Sequence, residues 1–390
     1  MPRLRSVRDL EVEGRRVLLR VDFNVPISDG AIKDDTRIQA ALPTIRLLRD
    51  RGATVILCSH LGRPKGKPVP GLSLRPIAAR LATLLGEPVE FAEDCVGPTA
   101  RSALAGLGPR GLLMVENTRF YPQEAENDPT FARQLADLAE LYVNDAFGSM
   151  HRAHASTEGV AHILPSAAGL LVEREVKFLR EALSTPDRPY VVLLGGAKIS
   201  DKIGLVRKLL GEADALLVGG GMANTFLAAQ GLDLAASLVE REALPVAAEL
   251  LAQPGPRVQL PIDLMAASEL SETAARRVCK VNQIPAKWRA VDIGPETLEQ
   301  FTAVLHSART VLWNGPMGVF EIEPFSAGTR GIARAIAGAD ALSIVGGGDS
   351  VAAVQQAGLA NRFTHLSTGG GASLALLEGK SLPGLAVLQS

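Results

Sequence analysis

The sequence has little cysteine and no long apolar run. Its three cysteines, at positions 58, 95 and 279, form no C-x-x-C pair. An odd number at such wide spacing argues against a disulfide framework and a zinc site, and it indicates a reducing compartment. No apolar run approaches the roughly 18 residues that a spanning helix needs. Residues 1–20 carry charges throughout, unlike a secretory signal. We therefore expect a cytoplasmic protein with no membrane partner.

A large net charge is absent as well. The 41 Lys and Arg residues balance 42 Asp and Glu residues, so overall charge gives no attraction to nucleic acid. Any polyanion must be bound by a local cluster. With 390 residues the chain is too long for one ordinary core, and two domains of about 150 to 200 residues are expected.

The middle of the chain carries a strand-like run followed by two lysines. Residues 191–194 are apolar and end at a glycine pair, which is typical of a buried parallel strand. The pattern predicts a helix directly afterwards, capped by Ser200 or Asp201, with Lys198 and Lys202 at its start. Lysines on a surface helix are often simply solvated, but lysine opposes the helix dipole there and favours an anionic partner. We interpret this corner as a phosphate site.

In the first half, predicted strands alternate with predicted helices. A helix at 34–51 precedes the strand at 54–58, and a helix at 128–141 lies between the strands at 112–115 and 142–145, which indicates a parallel sheet. An earlier strand begins at Arg16 and breaks at Pro26.

The loops after these strands present cations: His60, Arg63, Arg119, His151, Arg152 and His154. Most arginines in a domain are simply solvated at its surface. However, the carboxyl ends of neighbouring parallel strands converge, so these arginines and Arg37 are expected to meet around a small, multiply anionic ligand. For the two histidines at 151 and 154 we favour a hydrogen-bonding or packing role over metal binding.

The second half is rich in glycine at strand ends. Glycine clusters at 219–221, 346–348 and 369–371 each follow an apolar run. Such turns bring backbone N–H groups against phosphate or an adenine ring, although glycine also serves turns on conformational grounds alone. None completes a Walker A loop or G-x-G-x-x-G, which disfavours a nicotinamide dehydrogenase.

Six motifs together resemble those of the phosphoglycerate kinase family, in order and over essentially the whole chain. They are residues 20–26 (RVDFNVP), 59–64 (SHLGRP), 195–198 (GGAK), 313–321 (WNGPMGVFE), 346–349 (GGGD) and 367–373 (STGGGAS). Small departures are Ser149-Met150, where Thr-Ala is usual, and Ser350, where Thr is frequent. Residues 271–285 fit the family pattern poorly, so their local structure is left open.

The resemblance implies residues for two substrates. Those implied for 3-phosphoglycerate or 1,3-bisphosphoglycerate are Asp22, Phe23, Asn24, Arg37, His60, Leu61, Gly62, Arg63, Arg119 and Arg152. Those expected for ATP or ADP are Gly196, Ala197, Lys198, Lys202, Gly219, Gly220, Gly294, Asn314, Pro316, Glu321, Gly347, Gly348, Asp349 and Ser350. The Asp349 carboxylate is implied to reach Mg²⁺.

The expected fold is α/β, with two Rossmann-like three-layer domains, each a parallel sheet flanked by helices. Residues 1–168 are expected to bind 3-phosphoglycerate and residues 186–375 the nucleotide, with a connecting helix at 169–185. The tail 376–390 is expected to pack back on the first domain.

The expected reaction is reversible, direct in-line phosphoryl transfer in glycolysis by a monomer whose hinge closes on both ligands. The groups expected to act on the transferring phosphate are Arg37, Lys198, Lys202 and the backbone N–H groups of Gly348 and Gly371. The alternative is a two-domain protein that binds a small anion without catalysis.

Overall fold

Short runs of four or five apolar residues form the central strands of two separate parallel sheets. The computed structural model describes residues 3–28, 30–253 and 257–389. The chain divides into two units: unit 1 runs to Lys177 and takes up the chain again from Gly379, and unit 2 spans Phe178–Glu378. Within the described ranges, no helix combines the length and apolar character needed to cross a bilayer.

Unit 1 contains a six-stranded parallel sheet and a two-stranded ribbon. Its strands are β1 (Arg16–Arg20), β2 (Ile27–Ser28), β3 (Ala31–Ile32), β4 (Thr54–Cys58), β5 (Glu90–Ala92), β6 (Leu112–Val115), β7 (Leu141–Asn144) and β8 (Ser166–Ala168). Its helices are α1 (Thr36–Asp50), α2 (Arg75–Leu85), α3 (Gly97–Ala105), α4 (Pro122–Ala125), α5 (Pro129–Ala136) and α6 (Leu170–Val176). The sheet order is β5-β6-β4-β1-β7-β8, so β1 and β4 lie at its centre. The antiparallel ribbon is β2 with β3.

Unit 2 has a second six-stranded parallel sheet and a separate three-stranded antiparallel one. Its helices are α7 (Ala182–Ser184), α8 (Ile203–Leu210), α9 (Gly220–Ala229), α10 (Leu244–Ala252), α11 (Pro295–Ser307), α12 (Ala327–Gly338), α13 (Gly348–Gln356) and α14 (Gly371–Leu377). Its strands are β9 (Tyr190–Leu194), β10 (Ala215–Val218), β11 (Arg257–Gln259), β12 (Asp263–Ala267), β13 (Arg276–Lys280), β14 (Arg289–Ile293), β15 (Thr310–Asn314), β16 (Leu342–Gly346) and β17 (His365–Leu366). The parallel sheet has the order β11-β10-β9-β15-β16-β17, and the antiparallel one β13-β12-β14.

In both units the apolar residues of the central strands form the core. In unit 1, Val17 and Leu19 of β1 and Val55 of β4 are fully buried against α1, and in unit 2, Leu193 of β9 and Trp313 of β15 are fully buried. Strands covered by helices on both faces read as continuous apolar runs, which is why they were recognisable in the sequence. The expected pair of Rossmann-like parallel sheets flanked by helices is confirmed.

The last stretch of chain belongs to unit 1. Helix α15 (Pro383–Ala386) follows Gly379, and the Gly384 N–H donates to the Met150 carbonyl at 3.0 Å. The Arg5 N–H donates to the Leu388 carbonyl at 3.2 Å. Unit 1 is therefore discontinuous in sequence.

Several local predictions were wrong. The helix predicted directly after the 195–196 glycine pair begins only at Ile203, after a 3-10 turn over Ser200–Lys202. Neither predicted cap serves α8, because the residue at its N-cap is Lys202 and makes no side-chain cap bond. The helix predicted over 128–141 ends at Ala136, although Asp128 caps it as expected by accepting from the Phe131 N–H at 2.7 Å.

The antiparallel sheet of unit 2 was missed. Residues 271–285, left open in the sequence, contain β13, which pairs with β12. Residues 289–293, directly before Gly294, form β14 of this antiparallel sheet. Strand β13 reads Arg-Arg-Val-Cys-Lys and is largely exposed, so it lacks the apolar pattern by which strands are recognised.

Candidate active site

In unit 1, the loops after β1, β4, β6 and β7 bring the predicted cations together. Arg37 Nη1, on the first turn of α1, lies 3.1 Å from Asp22 Oδ1 and donates to the Asn24 carbonyl at 3.3 Å. The Asn24 side chain accepts from the Gly62 N–H at 2.9 Å. Arg119 Nη1 donates to the Gly62 carbonyl at 2.9 Å. A continuous set of hydrogen bonds thus joins three different loops.

Two apolar members of the predicted site hold these loops in place. Phe23 is fully buried, and its N–H donates to Ser59 Oγ at 2.9 Å. Leu61 is buried and exchanges two hydrogen bonds with the Asn117 side chain, at 3.2 and 2.8 Å. Arg63 is exposed on the same loop. The packing residues and the charged residues of the predicted set are therefore distinct.

The loop after β7 contributes Arg152 and two histidines. Arg152 Nε donates to His151 Nε2 at 3.0 Å. His154 Nδ1 lies 3.8 Å from Oε1 of the buried Glu124. Burial, followed by the positive charge of Arg119, lowers the pKa of His154 to about 4. His154 is therefore neutral at pH 7, and its contact with Glu124 is not an ion pair there.

Positive charge is concentrated in this cluster. Burial and then the charges of Arg20 and Arg152 lower the pKa of Arg119 to about 10. Burial and then the Arg20, Arg119 and Arg37 charges hold the pKa of His60 well below its usual value. These cations repel one another, although the charges of Glu124 and Asp22 partly offset the effect at Arg119, and such a cluster is stabilised by a bound anion.

Sequence reasoning missed Arg20 as a site residue. It lies at the end of β1, is fully buried, and contacts His60 through Nη2 at 3.0 Å. Glu124 was also missed; it is fully buried and accepts from the Ser156 N–H and Oγ. A charged residue inside an apolar strand run was the signal available for Arg20, whereas nothing in the local pattern marked Glu124.

In unit 2, a cavity of about 240 Å³ lies at the carboxyl ends of β9, β10 and β15. Its walls include six of the predicted nucleotide residues: Gly196, Ala197, Gly220, Pro316, Glu321 and Asp349. Apolar side chains such as Leu238, Leu264, Met317 and Val319 complete it, together with Asp292. An apolar slot with a few polar groups is typical of a small-molecule site.

The remaining predicted residues of unit 2 do not line this cavity. Lys202 Nζ turns back to donate to the Gly195 carbonyl at 2.8 Å and the Asn314 carbonyl at 3.1 Å. Burial lowers the pKa of Lys202 to about 8, although the negative charges of Asp349 and Asp201 partly oppose this shift.

Lys198 is exposed in the loop before the 3-10 turn. Ser350 Oγ accepts from the Gly315 N–H at 2.6 Å, and Asn314 Nδ2 is buried without a partner among the described residues. Gly294 precedes α11, where an added Cβ would lie 2.3 Å from the Asp263 carboxyl group. Its position is explained by this packing.

The glycines of unit 2 fall into two groups. At Gly195 an added Cβ would lie 2.0 Å from the Pro316 carbonyl oxygen, and at Gly219 it would lie 2.6 Å from Met317 Sδ. At Gly348, the first residue of α13, an added Cβ would meet nothing within 4 Å. Close packing explains the first group. The open N-terminus of α13, preceded by Gly347 at φ +91°, is free to receive a ligand. Gly371 likewise begins a helix, α14.

Known proteins match this chain over nearly its whole length. The family profile described as phosphoglycerate kinase matches residues 7–380. The chain is 58% identical over 394 residues to the phosphoglycerate kinase of Chloroflexus aggregans, covering 99% of this chain and 98% of that protein. It is 56% identical over 386 residues to that of Moorella thermoacetica, covering 98% of each.

Solved structures match over the same length. The phosphoglycerate kinase from Coxiella burnetii has a TM-score of 0.88 at 41% identity, with 99% of both chains covered. The enzyme from Pyrococcus horikoshii has a TM-score of 0.89 at 34% identity, with 99% of this chain and 98% of that chain covered. The chain therefore belongs to the phosphoglycerate kinase family.

Proposed function

We propose that the chain catalyses reversible transfer of the acyl phosphate of 1,3-bisphosphoglycerate to MgADP, giving 3-phosphoglycerate and MgATP in glycolysis. The observation that carries this proposal is the cation cluster of unit 1. Arg37, Arg119 and Arg152 are drawn together with few carboxylates to balance them. Guanidinium groups match carboxylate and phosphate oxygens in pairs, so a phosphorylated acid is the ligand that best neutralises the cluster.

Unit 2 is proposed to hold the nucleotide. The apolar walls of its cavity suit the adenine ring, and the α13 N-terminus with the nearby Lys202 suits the phosphates. Asp349, in the first turn of α13, also lines the cavity. In this arrangement the adenine base binds at one end of the site and the charged phosphates bind at the other.

Mg²⁺ is proposed to arrive with the nucleotide. Among the described residues, no group of three or more His, Cys, Asp or Glu side chains stands ready to hold a metal. Mg²⁺ is commonly bound through one or two carboxylates together with substrate phosphates and water, so the Asp349 carboxylate fits a nucleotide-carried ion. When bound, the ion neutralises charge on the phosphates.

Phosphoryl transfer needs alignment and positive charge more than covalent chemistry. We assign Arg37, Lys198 and Lys202 to neutralise the equatorial oxygens of the transferring group, with the N–H groups of Gly348 and Gly371 as further donors. The reacting oxygens are already anionic, so the proposed step uses no general base and no phosphoenzyme.

The test is ATP formation from 1,3-bisphosphoglycerate and MgADP, coupled to an enzyme that consumes ATP. Formation of ATP that requires both substrates supports the kinase. Binding of 3-phosphoglycerate by calorimetry without any ATP formation would instead support the alternative, a two-domain anion-binding protein without catalysis.

We further propose a cytoplasmic monomer with no nucleic-acid or membrane partner. The balance of 41 basic and 42 acidic residues supports this, because it leaves no overall field for a polyanion. Light scattering at working concentration checks the monomer.

A further inference from the structure

A fully buried arginine lies beneath the cation cluster of unit 1. Arg20 is at 0% exposure, and its guanidinium hydrogen bonds reach only neutral groups among the described residues. Nε donates to Ser156 Oγ at 2.8 Å, Nη1 to the Val21 carbonyl and Nη2 to His60 Nδ1 at 3.0 Å. An arginine so enclosed cannot itself contact a ligand, so its role must be exerted through a neighbour.

The charge of Arg20 is balanced through a hydroxyl group. Ser156 Oγ accepts from Arg20 and donates to Glu124 Oε1 at 2.6 Å. Glu124 is fully buried and also accepts from the Ser156 N–H at 3.0 Å. This carboxylate fixes the direction of the Ser156 hydroxyl, which in turn leaves its lone pair for Arg20. The guanidinium is thereby held in one orientation.

The direction of the next bond follows from chemistry. A guanidinium group has five N–H donors and no acceptor. Its bond to His60 therefore requires Nδ1 to be the acceptor, with no proton on it. A neutral imidazole carries its one proton on the other nitrogen, so the His60 proton lies on Nε2.

The other side of the ring is open. His60 Nε2 makes no hydrogen bond to a described residue, and it does not occur among the buried polar atoms that lack a partner. The charges that act on the ring come from Arg20, Arg119 and Arg37, with His154 next in order, and together with burial they hold the pKa of His60 well below its usual value. The ring therefore remains neutral at pH 7 and presents one N–H.

We propose that Arg20 is a positioning residue that fixes His60 as the neutral Nε2–H tautomer, so that His60 donates a hydrogen bond to an oxygen of the three-carbon acid. This inference rests on the proposed function for the identity of the ligand. With the opposite tautomer, the ring would present a lone pair to an anion, and the contact would be repulsive. His60 is thus a neutral hydrogen-bond donor among cations. Its directional bond selects the orientation of the bound acid, whereas the cations select its negative charge.

The first test observes the His60 ring in the unsubstituted protein. Long-range ¹H–¹⁵N correlation spectra of histidine-labelled protein distinguish a bare ring nitrogen from a protonated one, and His60→Gln identifies the His60 signals among the six histidines. We expect a bare Nδ1 and a protonated Nε2 with no titration between pH 6 and 8. A proton on Nδ1, a mixture of tautomers, or titration of the ring in this range would overturn the proposal.

The second test is a double-mutant cycle read by calorimetry with 3-phosphoglycerate. Arg20→Met removes every donor, and we expect about 10-fold weaker binding because a hydrogen bond to a charged ligand is lost. In a His60→Ala background the same substitution is expected to change binding less than about 2-fold. An equal loss in both backgrounds would show that Arg20 acts on the fold rather than through His60.

Arg49→Gln is the matched control. Arg49 is a partly buried arginine of unit 1 whose Nη1 and Nη2 both bond to Glu87, at 3.0 and 2.7 Å. This variant is expected to leave both the His60 tautomer and 3-phosphoglycerate binding unchanged. The tautomer is measured without substrate, so a chain that lacks kinase activity can still show it, and an active kinase with the wrong tautomer refutes this inference alone.

Discussion

Unit 1 and unit 2 share a six-stranded parallel sheet, yet they build their candidate sites from different parts of the chain. In unit 1 the site consists of charged side chains, with Arg37, Arg119 and Arg152 gathered from separate loops. In unit 2 it consists chiefly of backbone brought close by glycine, as at Gly195 and Gly219. A site made of charged side chains can be recognised in the sequence from its residue types. A site made of backbone groups is marked in the sequence only by glycines, and glycines that serve close packing look the same.

Removing a charged side chain from the unit 1 site is expected to have the largest effect. Arg37→Ala should lower kcat by about 10² to 10³, more than it raises KM for 3-phosphoglycerate, because a charge aimed at the transferring group acts mainly in the transition state. Steady-state kinetics measure both constants. Arg46→Ala, an exposed arginine of the same helix, is the control. Weaker binding with an unchanged kcat would mean that Arg37 only holds the substrate.

The next largest effect is expected at Asp349, the carboxylate assigned to Mg²⁺. Asp349→Asn should reduce kcat/KM for MgADP by roughly 10- to 100-fold, because Mg²⁺ prefers anionic oxygen ligands. Calorimetry should find 3-phosphoglycerate binding unchanged. Asp340→Asn, at an exposed ion pair with Arg309, is the control. Equal loss of both ligands would indicate a disrupted fold.

Two glycines of unit 2 separate packing from ligand access. Gly195→Ala should lower the free energy of unfolding by roughly 1–3 kcal/mol or more, because its Cβ would lie 2.0 Å from the Pro316 carbonyl oxygen. Gly348→Ala has open space around the new atom and should change stability by less than about 0.5 kcal/mol. Urea denaturation compares them. Equal stability of the two variants would refute the division of the glycines into two groups.

Each unit also contains a buried carboxyl group with a raised pKa, and the two groups affect stability over different pH ranges. Burial raises the pKa of Asp145 in unit 1 from 3.8 to about 6 and that of Asp292 in unit 2 to about 7. Between the unfolded and folded pKa, the folded protein keeps a proton that the unfolded chain has lost. Stability therefore falls as pH rises through that window, by at most about 1.4 kcal/mol per pH unit for each group.

Asp292→Asn should accordingly flatten the decline of stability between about pH 6 and 7, where Asp145 goes from about half to mostly deprotonated and so contributes less to the slope. Denaturation at several pH values, with Asp340→Asn as an exposed control, measures the slope. An unchanged slope in Asp292→Asn would show that this carboxyl is ionised throughout.

The sequence predicted the central strands well and the edges poorly. Strands β4 and β6 match their predicted bounds because buried parallel strands are continuous apolar runs. Strands of two or three residues, such as β5 and β17, are too short to show any period. The helix start at Ile203 was misplaced because Lys202 turns its ammonium back to two backbone carbonyls, a tertiary contact that no local pattern encodes.

The candidate sites show the same limit. The loop cations of unit 1 were recognisable by type and by their place after predicted strands. Arg20 was not assigned to the site, because its guanidinium bonds to His60, a residue 40 positions away in the sequence. In unit 2, only the coordinates separate glycines that accommodate a neighbouring carbonyl from those that face open space.

Residues 379–389 are synthesised after all of unit 2, although they belong to unit 1. On the ribosome the chain emerges from its N-terminus, and domains generally fold as units in that order. Here Leu382, Leu385 and Leu388, all buried, can join the first unit only after the second has been synthesised. Until then, Arg5 lacks its backbone partner at Leu388. The nascent first unit is therefore incomplete while the second emerges.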